Sequence, residues 1–112
     1  MNKDQIVYDD FAKIEMRLGK IVEVKDLPRA RNPSYKVCVD FGELGQRWSS
    51  VQIKNYSEEG LMGRKVVCGV NMPPRNIAGF KSEILIMGVP NEADDTILLQ
   101  PSDNAVLGSE VF

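Results

Sequence analysis

Hydrophobic and polar residues alternate with a period of two in several short stretches, which is the pattern of half-buried β-strands. The clearest stretch is residues 35–41, where Tyr, Val, Val and Phe at odd positions alternate with Lys, Cys and Asp. Shorter or less regular stretches occupy residues 18–25, 47–53, 65–70, 83–87 and 96–99. Five or six short strands at fairly regular spacing predict an all-β fold, a small barrel.

Two short helices are predicted beside these strands. Asp9 precedes the apolar residue Phe11 and is expected to cap a short N-terminal helix. Ser57 is followed by two glutamates, which predicts about one helical turn in the middle of the chain. Gly60 and Gly63 limit that second helix to a short length.

The segment between the fourth and fifth predicted strands, residues 71–83, has an unusual composition. It contains two adjacent prolines, two cations and a glycine. Because proline cannot donate to a strand ladder, we expect an ordered loop here. Binding residues often lie on loops that a rigid scaffold holds, so this loop is a candidate binding element. A crossover stiffened by its prolines is the purely structural alternative.

Composition and charge limit the classes of function. The 112 residues, 43% of them hydrophobic, are enough for one domain with one core. The net charge is −2, yet all 14 basic residues lie in residues 1–81, whereas residues 82–112 carry only acidic ones. Residues 29–36 and 60–82 are locally basic and free of acids, so they are candidates for contact with a polyanion. Ordinary solvated surface charge is the alternative.

The residues needed for catalysis are largely missing. The chain has no histidine and only two cysteines, which excludes Ser-His-Asp and Cys-His systems, cysteine-rich zinc sites and a disulfide framework. Cys68 is expected in the core and Cys38 partly exposed. No phosphate-binding loop or nucleophile-elbow motif occurs. The sequence therefore predicts a binding protein without enzymatic activity or cofactor.

Targeting signals are also missing from the sequence. No apolar run approaches the ~18 residues that cross a bilayer, and residues 1–5 lack a signal-peptide hydrophobic region. A cytoplasmic location with reduced thiols and no membrane insertion is expected.

The segment NMPPRNIAGFKSE at residues 71–83 resembles the tRNA-binding-type OB-fold domain. Further stretches match this family in order: DF, RLGKIV, VDFG, EGLMGR and LLQP at residues 10–11, 17–22, 39–42, 59–64 and 98–101. The family includes dimeric tRNA-binding proteins, appended domains of methionyl- and phenylalanyl-tRNA synthetases, and CsaA export chaperones. The resemblance covers residues 9–112. It implies a five-stranded Greek-key OB barrel with short N-terminal and mid-chain helices, forming one domain over residues 1–112.

Within the family, the loop LPRARNP at residues 27–33 is similar to CsaA chains, whereas the appended domains tend to have a His-Pro loop. The resemblance implies a cytoplasmic homodimeric chaperone that binds unfolded or precursor proteins for export, with the export motor ATPase as a candidate partner. The alternative is a structure-selective tRNA-binding protein. The N-terminal helix and the tail from Val106 to Phe112 are apolar extensions that a second copy is expected to cover.

Candidate site residues follow from the chemistry of each ligand. Cations neutralise phosphates and aromatic rings stack on bases. The candidate phosphate contacts are Arg29, Arg31, Lys36, Lys54, Arg75 and Lys81. Polar or stacking contacts are expected from Trp48, Gln52, Asn71, Ser82 and Glu83. An apolar patch for unfolded chains is expected at Met72, Pro73, Pro74, Ile77 and Phe80. Burial of Ile77 and Phe80 is the alternative for that pair, and core packing is the alternative to base stacking for Trp48. Tyr35 is expected in the core rather than stacked on a base, and Arg47 in an ion pair.

Overall fold

The computed structural model describes all 112 residues, and it is built mainly of short antiparallel strands. The two α-helices are α1 (Tyr8–Ala12) and α2 (Glu58–Leu61), and a 3-10 turn covers Gly42–Leu44. The strands are β1 (Met16–Asp26), β2 (Tyr35–Asp40), β3 (Gln46–Val51), β4 (Lys65–Gly69), β5 (Arg75–Ile77), β6 (Phe80–Ser82), β7 (Leu85–Ile86), β8 (Gly88–Pro90) and β9 (Thr96–Leu98). Five of them form one sheet in the order β3-β2-β1-β4-β7.

Hydrogen bonds between the two edges of this sheet nearly close it into a barrel. The Glu83 N–H donates to the Trp48 carbonyl over 2.8 Å, and the Ser49 hydroxyl donates to the Ile84 carbonyl over 3.2 Å. These bonds join β3 to the residues just before β7, so the first and last strands of the sheet become neighbours. The predicted all-β barrel with two short helices is confirmed.

The long strand β1 serves both halves of the barrel. Its first residues pair with β4 and its last residues pair with β2, and a register shift between Ile21 and Glu23 marks a bulge. A bulge bends a strand, which lets one strand follow a closed surface. Gly19 lies where the two halves meet. A Cβ there would stand 2.3 Å from the side chain of Val39 on the neighbouring strand β2, so only glycine leaves room for that side chain.

The interior of the barrel is apolar and tightly filled. Eleven buried residues form one cluster, and Ile21, Val37, Val39, Val66 and Cys68 are fully buried within it. They come from β1, β2 and β4, the strands whose alternation the sequence shows best. Cys68 is fully buried, which confirms its expected core position. The prediction succeeds because inward and outward residues alternate with a period of two.

The helices agree with the sequence in position and differ in one cap. The Ser57 hydroxyl accepts a hydrogen bond from the Gly60 N–H over 2.9 Å, so Ser57 caps α2 as expected. Asp9 does not cap α1, because the N-cap is Val7, two residues earlier, and the helix begins at Tyr8. The Asp10 carboxylate instead accepts from the Val7 N–H.

Residues 71–83 form a β-hairpin of β5 and β6, which corrects the prediction of a loop. Pro73 and Pro74 come before β5 and therefore interrupt no ladder. The turn at Ala78 and Gly79 has φ values of 52° and 81°, the left-handed values that a two-residue hairpin turn requires. The hairpin of β8 and β9 was also only half predicted, since β8 carries a glycine and a proline.

The chain termini lie on the outside of the barrel. The tail from residue 108 to residue 111 runs along β1, where the Gly108 N–H donates to Leu18 and the Val111 N–H to Met16, both over 2.8 Å. Helix α1 contains no buried residue, and Phe112 is fully exposed. No helix has the length and apolar character needed to span a membrane.

Candidate functional site

Two neighbouring cavities flank the hairpin of β5 and β6. The first, of about 390 Å³, lies between the β1–β2 loop, the end of β3, and strands β5, β7 and β9. The second, of about 170 Å³, lies between residues 72–73 and residues 82–85. Arg75 and Leu85 line both cavities, so the two spaces share a wall. We call them the large and the small hairpin cavity.

Half of the predicted site residues line these cavities. The large hairpin cavity is lined by Arg31, Gln52, Arg75 and Ile77, together with residues that had not been predicted. The small hairpin cavity is lined by Met72, Pro73, Arg75, Ser82 and Glu83. The fold therefore brings loop residues from distant parts of the sequence into one region, with arginine and apolar side chains side by side.

Two of the predicted polar contacts also attach the hairpin to the barrel. Ser82 is buried, and its hydroxyl accepts a hydrogen bond from the Ser50 N–H over 3.1 Å. A Glu83 carboxylate oxygen accepts from the Trp48 N–H, also over 3.1 Å. These bonds substitute for strand pairing between β3 and β6. Both side chains consequently position the hairpin while they line the small hairpin cavity.

An aromatic cluster of Trp48 and Phe80 with two lysines covers the outer surface of the sheet beside the hairpin. The rings of Trp48 and Phe80 meet edge to face, with their centroids 6.2 Å apart. The amine of Lys25 lies 5.8 Å from the Trp48 ring, and the amine of Lys36 lies 5.8 Å from the Phe80 ring. Phe80 is half-buried here and lies outside the main core cluster, and Ile77 is also half-buried.

Lys54 lines neither cavity. Its amine binds the Asp26 carboxylate and lies 3.9 Å from the centroid of the Tyr35 ring. The hydrogen bond to Asp26 raises the pKa of Lys54 above its ordinary value. Tyr35 is buried, which confirms its expected core position. The contacts of Lys54 join the end of β1 to the segment after β3.

Asn71 uses its side-chain amide inside the chain. Its carbonyl oxygen accepts from the Glu15 N–H over 2.9 Å, and its NH₂ group donates to the Lys13 carbonyl over 2.6 Å. Asn71 thereby fixes the segment after α1 to the base of the hairpin.

The remaining predicted residues, Arg29, Pro74 and Lys81, are exposed and line neither cavity. The ion pair expected for Arg47 is wrong. Its guanidinium is exposed and donates to the neighbouring Gln46 carbonyl over 3.1 Å.

Sequence reasoning missed several residues that line the large hairpin cavity. They are Ala30, Asn32, Ser34, Ser50, Val51, Ile53, Leu85, Ile86, Thr96 and Leu98. Ser50 could have been found, because it pairs with Lys36, a predicted site residue, in the β2–β3 register. Directly paired residues on neighbouring strands lie on the same face of the sheet. Thr96 carried no such signal, since its strand was predicted without β8, the partner strand with which it forms a hairpin beside the cavity.

Both cysteine thiols are buried and poorly suited to act as nucleophiles. Burial raises the pKa of Cys68 to about 12. The pKa of Cys38 is also raised, first by burial and then by the nearby carboxylates of Glu23, Asp40 and Glu83. Cys38 had been expected to be partly exposed, which is wrong. It lies opposite Trp48, and its thiol contacts the Gln46 amide oxygen over 3.4 Å.

Residues 16–110 match the sequence model of the tRNA binding domain. The chain belongs to this family. Its structure is similar to that of the CsaA chaperone of Picrophilus torridus, with a TM-score of 0.91 and 40% identity over 96% of this chain and 100% of that one. It is also similar to the chaperone CsaA of Bacillus anthracis, with a TM-score of 0.89 and 39% identity over 97% of this chain and 100% of that one.

Sequence comparison connects the tRNA-binding domain to a much larger enzyme. The methionine–tRNA ligase of Pyrococcus abyssi is 35% identical over 106 residues. These residues are 95% of this chain and only 14% of that ligase, so the chain spans about a seventh of the relative's length. The family is therefore shown over nearly the whole chain, and the predicted OB-type barrel with its likeness to CsaA chaperones is confirmed.

Proposed function

We propose that this tRNA-binding-domain protein acts in the cytoplasm as a CsaA-type chaperone that holds unfolded or precursor polypeptides before export. It acts by noncovalent binding, without a catalytic step. The observation that carries the proposal is the pair of hairpin cavities, in which apolar side chains lie beside arginines. A chaperone requires such mixed surface, because its clients share no single sequence.

The small hairpin cavity suits an apolar client side chain. Met72 is half exposed, its terminal methyl lies next to Gly69, and Leu85 lines the same cavity. A thioether side chain adapts its shape to different partners, which supports the binding of many sequences. Arg75 and Glu83 on the rim supply charged groups of both signs for the polar parts of the same polypeptide.

The large hairpin cavity adds polar groups to the apolar surface of the small one. Arg31, Arg75, Asn32 and Gln52 surround it, and Ile77 and Leu98 form part of its floor. None of the arginines here forms an ion pair within the chain. They remain available for backbone carbonyls or acidic side chains of an extended client.

We also propose that the protein is a homodimer. A five-residue helix such as α1 is not stable by itself in water, and none of its side chains is buried in the single chain. Ile6, Tyr8 and Ile14 are each more than half exposed, and so are Val106 and Phe112 in the tail. A second copy related by two-fold symmetry would cover both apolar segments. Sedimentation velocity checks this, and a monomer at micromolar concentration contradicts it.

Suppression of the aggregation of chemically denatured luciferase, followed by light scattering, tests the chaperone function. We expect suppression at about stoichiometric protein, and a clear loss of suppression in Met72→Ser. Met62→Ser is the matched control, because Met62 is exposed to the same extent and lies away from the hairpin cavities. Absence of suppression by the unmodified protein in excess contradicts the proposal. Equal effects of both substitutions contradict the assignment of the small hairpin cavity.

The alternative function is structure-selective binding of tRNA, and the aromatic cluster favours it. The cluster holds lysine amines over the Trp48 and Phe80 rings, and the large hairpin cavity adds arginines without ion-pair partners. Cations of this kind contact phosphates, and aromatic rings stack on bases. Arg75→Ala is expected to weaken all tRNAs alike, with affinity falling linearly against salt on logarithmic axes. A salt-independent interaction contradicts it.

A pull-down from cytosol with and without nuclease separates the two functions. Polypeptide clients, and the export motor ATPase as a candidate partner, are expected to persist after nuclease treatment. Recovery of RNA alone contradicts the chaperone function and supports the alternative.

A further inference from the structure

The positive charges that lack a carboxylate partner are not spread evenly over the molecule. Four cations form ion pairs, namely Lys13, Arg17, Lys25 and Lys54. Of the ten others, five are predicted site residues in or near the hairpin, the β1–β2 loop and β2, namely Arg29, Arg31, Lys36, Arg75 and Lys81. Three more, Lys20, Arg64 and Lys65, meet at a separate open depression of about 370 Å³ on the barrel wall. We call these three the basic depression. None of the residues that line it lines either hairpin cavity.

Strand register forces two of these charges together. Lys20 on β1 lies directly opposite Lys65 on β4. Like charges directly opposite each other destabilise a sheet, so the Lys20–Lys65 pair lowers the stability of the barrel. No structural role within the single chain explains why both positions carry lysine. The Lys65 amine donates to the backbone carbonyls of Asp103 and, over 2.8 Å, Ala105. These neutral partners fix its position and leave its charge uncancelled.

Arg64 is held in place by neutral groups in the same way. Its Nε donates to the Gly60 carbonyl over 2.7 Å, and one terminal NH₂ group donates to the Gln100 side-chain oxygen over 2.9 Å. The guanidinium also lies 4.7 Å from the centroid of the Tyr56 ring. The second terminal NH₂ group makes no hydrogen bond within the chain. A fixed guanidinium with free donors is well prepared to bind a phosphate oxygen.

Lys20 is exposed and has no hydrogen-bond or ion-pair partner in the chain. The only acidic side chain at the depression is Asp103, which forms no ion pair with any of the three cations. The net local charge is therefore positive. Met62 and Pro101 are the only sizeable non-polar side chains at the rim, so the surface offers little to anchor an apolar peptide.

We infer that the basic depression binds the phosphodiester backbone of a structured RNA, as a second contact separate from the hairpin. This inference rests on the tRNA-binding alternative proposed above. Lys20 and Lys25 are five residue steps apart along β1, which spans ~16 Å at about 3.3 Å per residue. One ligand that contacts both regions must therefore be a long polyanion with a defined shape, as a folded RNA is and a short acidic peptide is not.

The test measures the anisotropy of fluorescein-labelled unfractionated tRNA over a series of KCl concentrations. Lys20→Ala removes one charge without disturbing any hydrogen bond. We expect roughly three- to tenfold weaker binding at low salt and a salt slope smaller by about 0.7 to 0.9, the value for one lost phosphate contact. Lys20→Arg is expected to restore both. Lys3→Ala is the matched control, because Lys3 is exposed, unpaired and outside the depression.

The outcomes separate this inference from the function on which it rests. If Lys20→Ala and Lys3→Ala have the same affinity and slope as the unmodified protein while Arg75→Ala is impaired, tRNA binding stands and the second contact is wrong. If the unmodified protein binds no tRNA, both the tRNA-binding function and the second contact at the basic depression are wrong. If polyglutamate of equal charge competes as well as tRNA and this competition depends on Lys20, the depression binds acidic polypeptide, which overturns the assignment to RNA.

Discussion

The barrel and the hairpin of β5 and β6 are stabilised by different interactions. In the barrel, Ile21, Val39 and Val66 lose all contact with water. In the hairpin, Ser82 is the one buried residue, and it is a polar one. Apolar burial stabilises the barrel, whereas a few hydrogen bonds and the edge-to-face contact between Phe80 and Trp48 stabilise the hairpin.

This difference assigns the stability of the domain to the barrel and the proposed binding to the hairpin. Burial contributes in proportion to apolar area and makes the barrel cooperative. A hairpin fixed by a few polar bonds opens at a lower free energy than the whole domain, as binding elements generally do. We therefore expect the hairpin to open locally while the core stays folded, which would suit the proposed binding of polypeptides of different shape. The predictions below test this contrast, beginning with the largest effect.

The same substitution in the two regions gives the most direct test. Ile21→Ala leaves a cavity in the filled core and is expected to lower the free energy of unfolding by about 2 to 5 kcal/mol. Ile77→Ala removes the same atoms from a half-buried position on the hairpin and is expected to lower it by less than about 1 kcal/mol. Urea denaturation of both variants checks this. Equal losses would contradict the contrast.

Alkaline titration probes the core through Cys68. Burial raises its pKa from an ordinary value of 9.0 to about 12, so the folded state keeps the thiol protonated. Below pH 9 the thiol is neutral in both states. Between pH 9 and 12 only the unfolded thiol ionises, and stability falls by up to about 1.4 kcal/mol per pH unit.

The control for this titration is Cys68→Ala, in which that part of the pH dependence is expected to disappear. Parallel curves of unfolding free energy against pH for the two proteins would show that Cys68 is not buried as described.

Ser82→Ala tests the attachment of the hairpin. It leaves the Ser50 N–H without its partner, which is expected to cost about 1 kcal/mol. The hairpin amides, measured by hydrogen exchange, are expected to exchange about fivefold faster, while the amides of β2 and β4 keep the rates of the unmodified protein. Ser102→Ala, on the exposed tail, is the matched control and should change neither group.

Phe80→Ala has a small expected effect on stability, about 0.5 to 1 kcal/mol, because it removes one edge-to-face contact and one cation contact. Trp48 is the only tryptophan, so its fluorescence reports the change directly. We expect a red shift of the emission maximum as water reaches the indole. An unchanged spectrum would show that Phe80 does not cover Trp48.

Most of the barrel could be predicted from the sequence, because one face of each long strand is buried and the period of two shows it. Residues 35–41 are the clearest example. The hairpin of β5 and β6 could not, because Pro73 and Pro74 indicated a break and its short strands alternate too few times to be recognised. Its turn depends on positive φ at Ala78, a residue that rarely adopts that conformation.

The candidate site was predictable in its residue types and only partly in its geometry. Arg31 and Arg75 were identified from local basic sequence, and the fold places both at one cavity. Lys54 was predicted as a phosphate contact although it lies outside the locally basic stretches, and the Asp26 carboxylate binds it away from the cavities. Asn71 resembled a ligand contact and instead fixes the N-terminal segment. Partners within the chain depend on tertiary contacts, which the local sequence does not contain.

Arg75 has a special position, since its side chain borders both hairpin cavities. A guanidinium that turns toward an occupant on one side withdraws its donors from the other side. Polypeptide and nucleic acid bound at this wall would then compete even without overlapping sterically. If both proposed ligands bind here, a change in the supply of either one would change how much of the protein is free for the other.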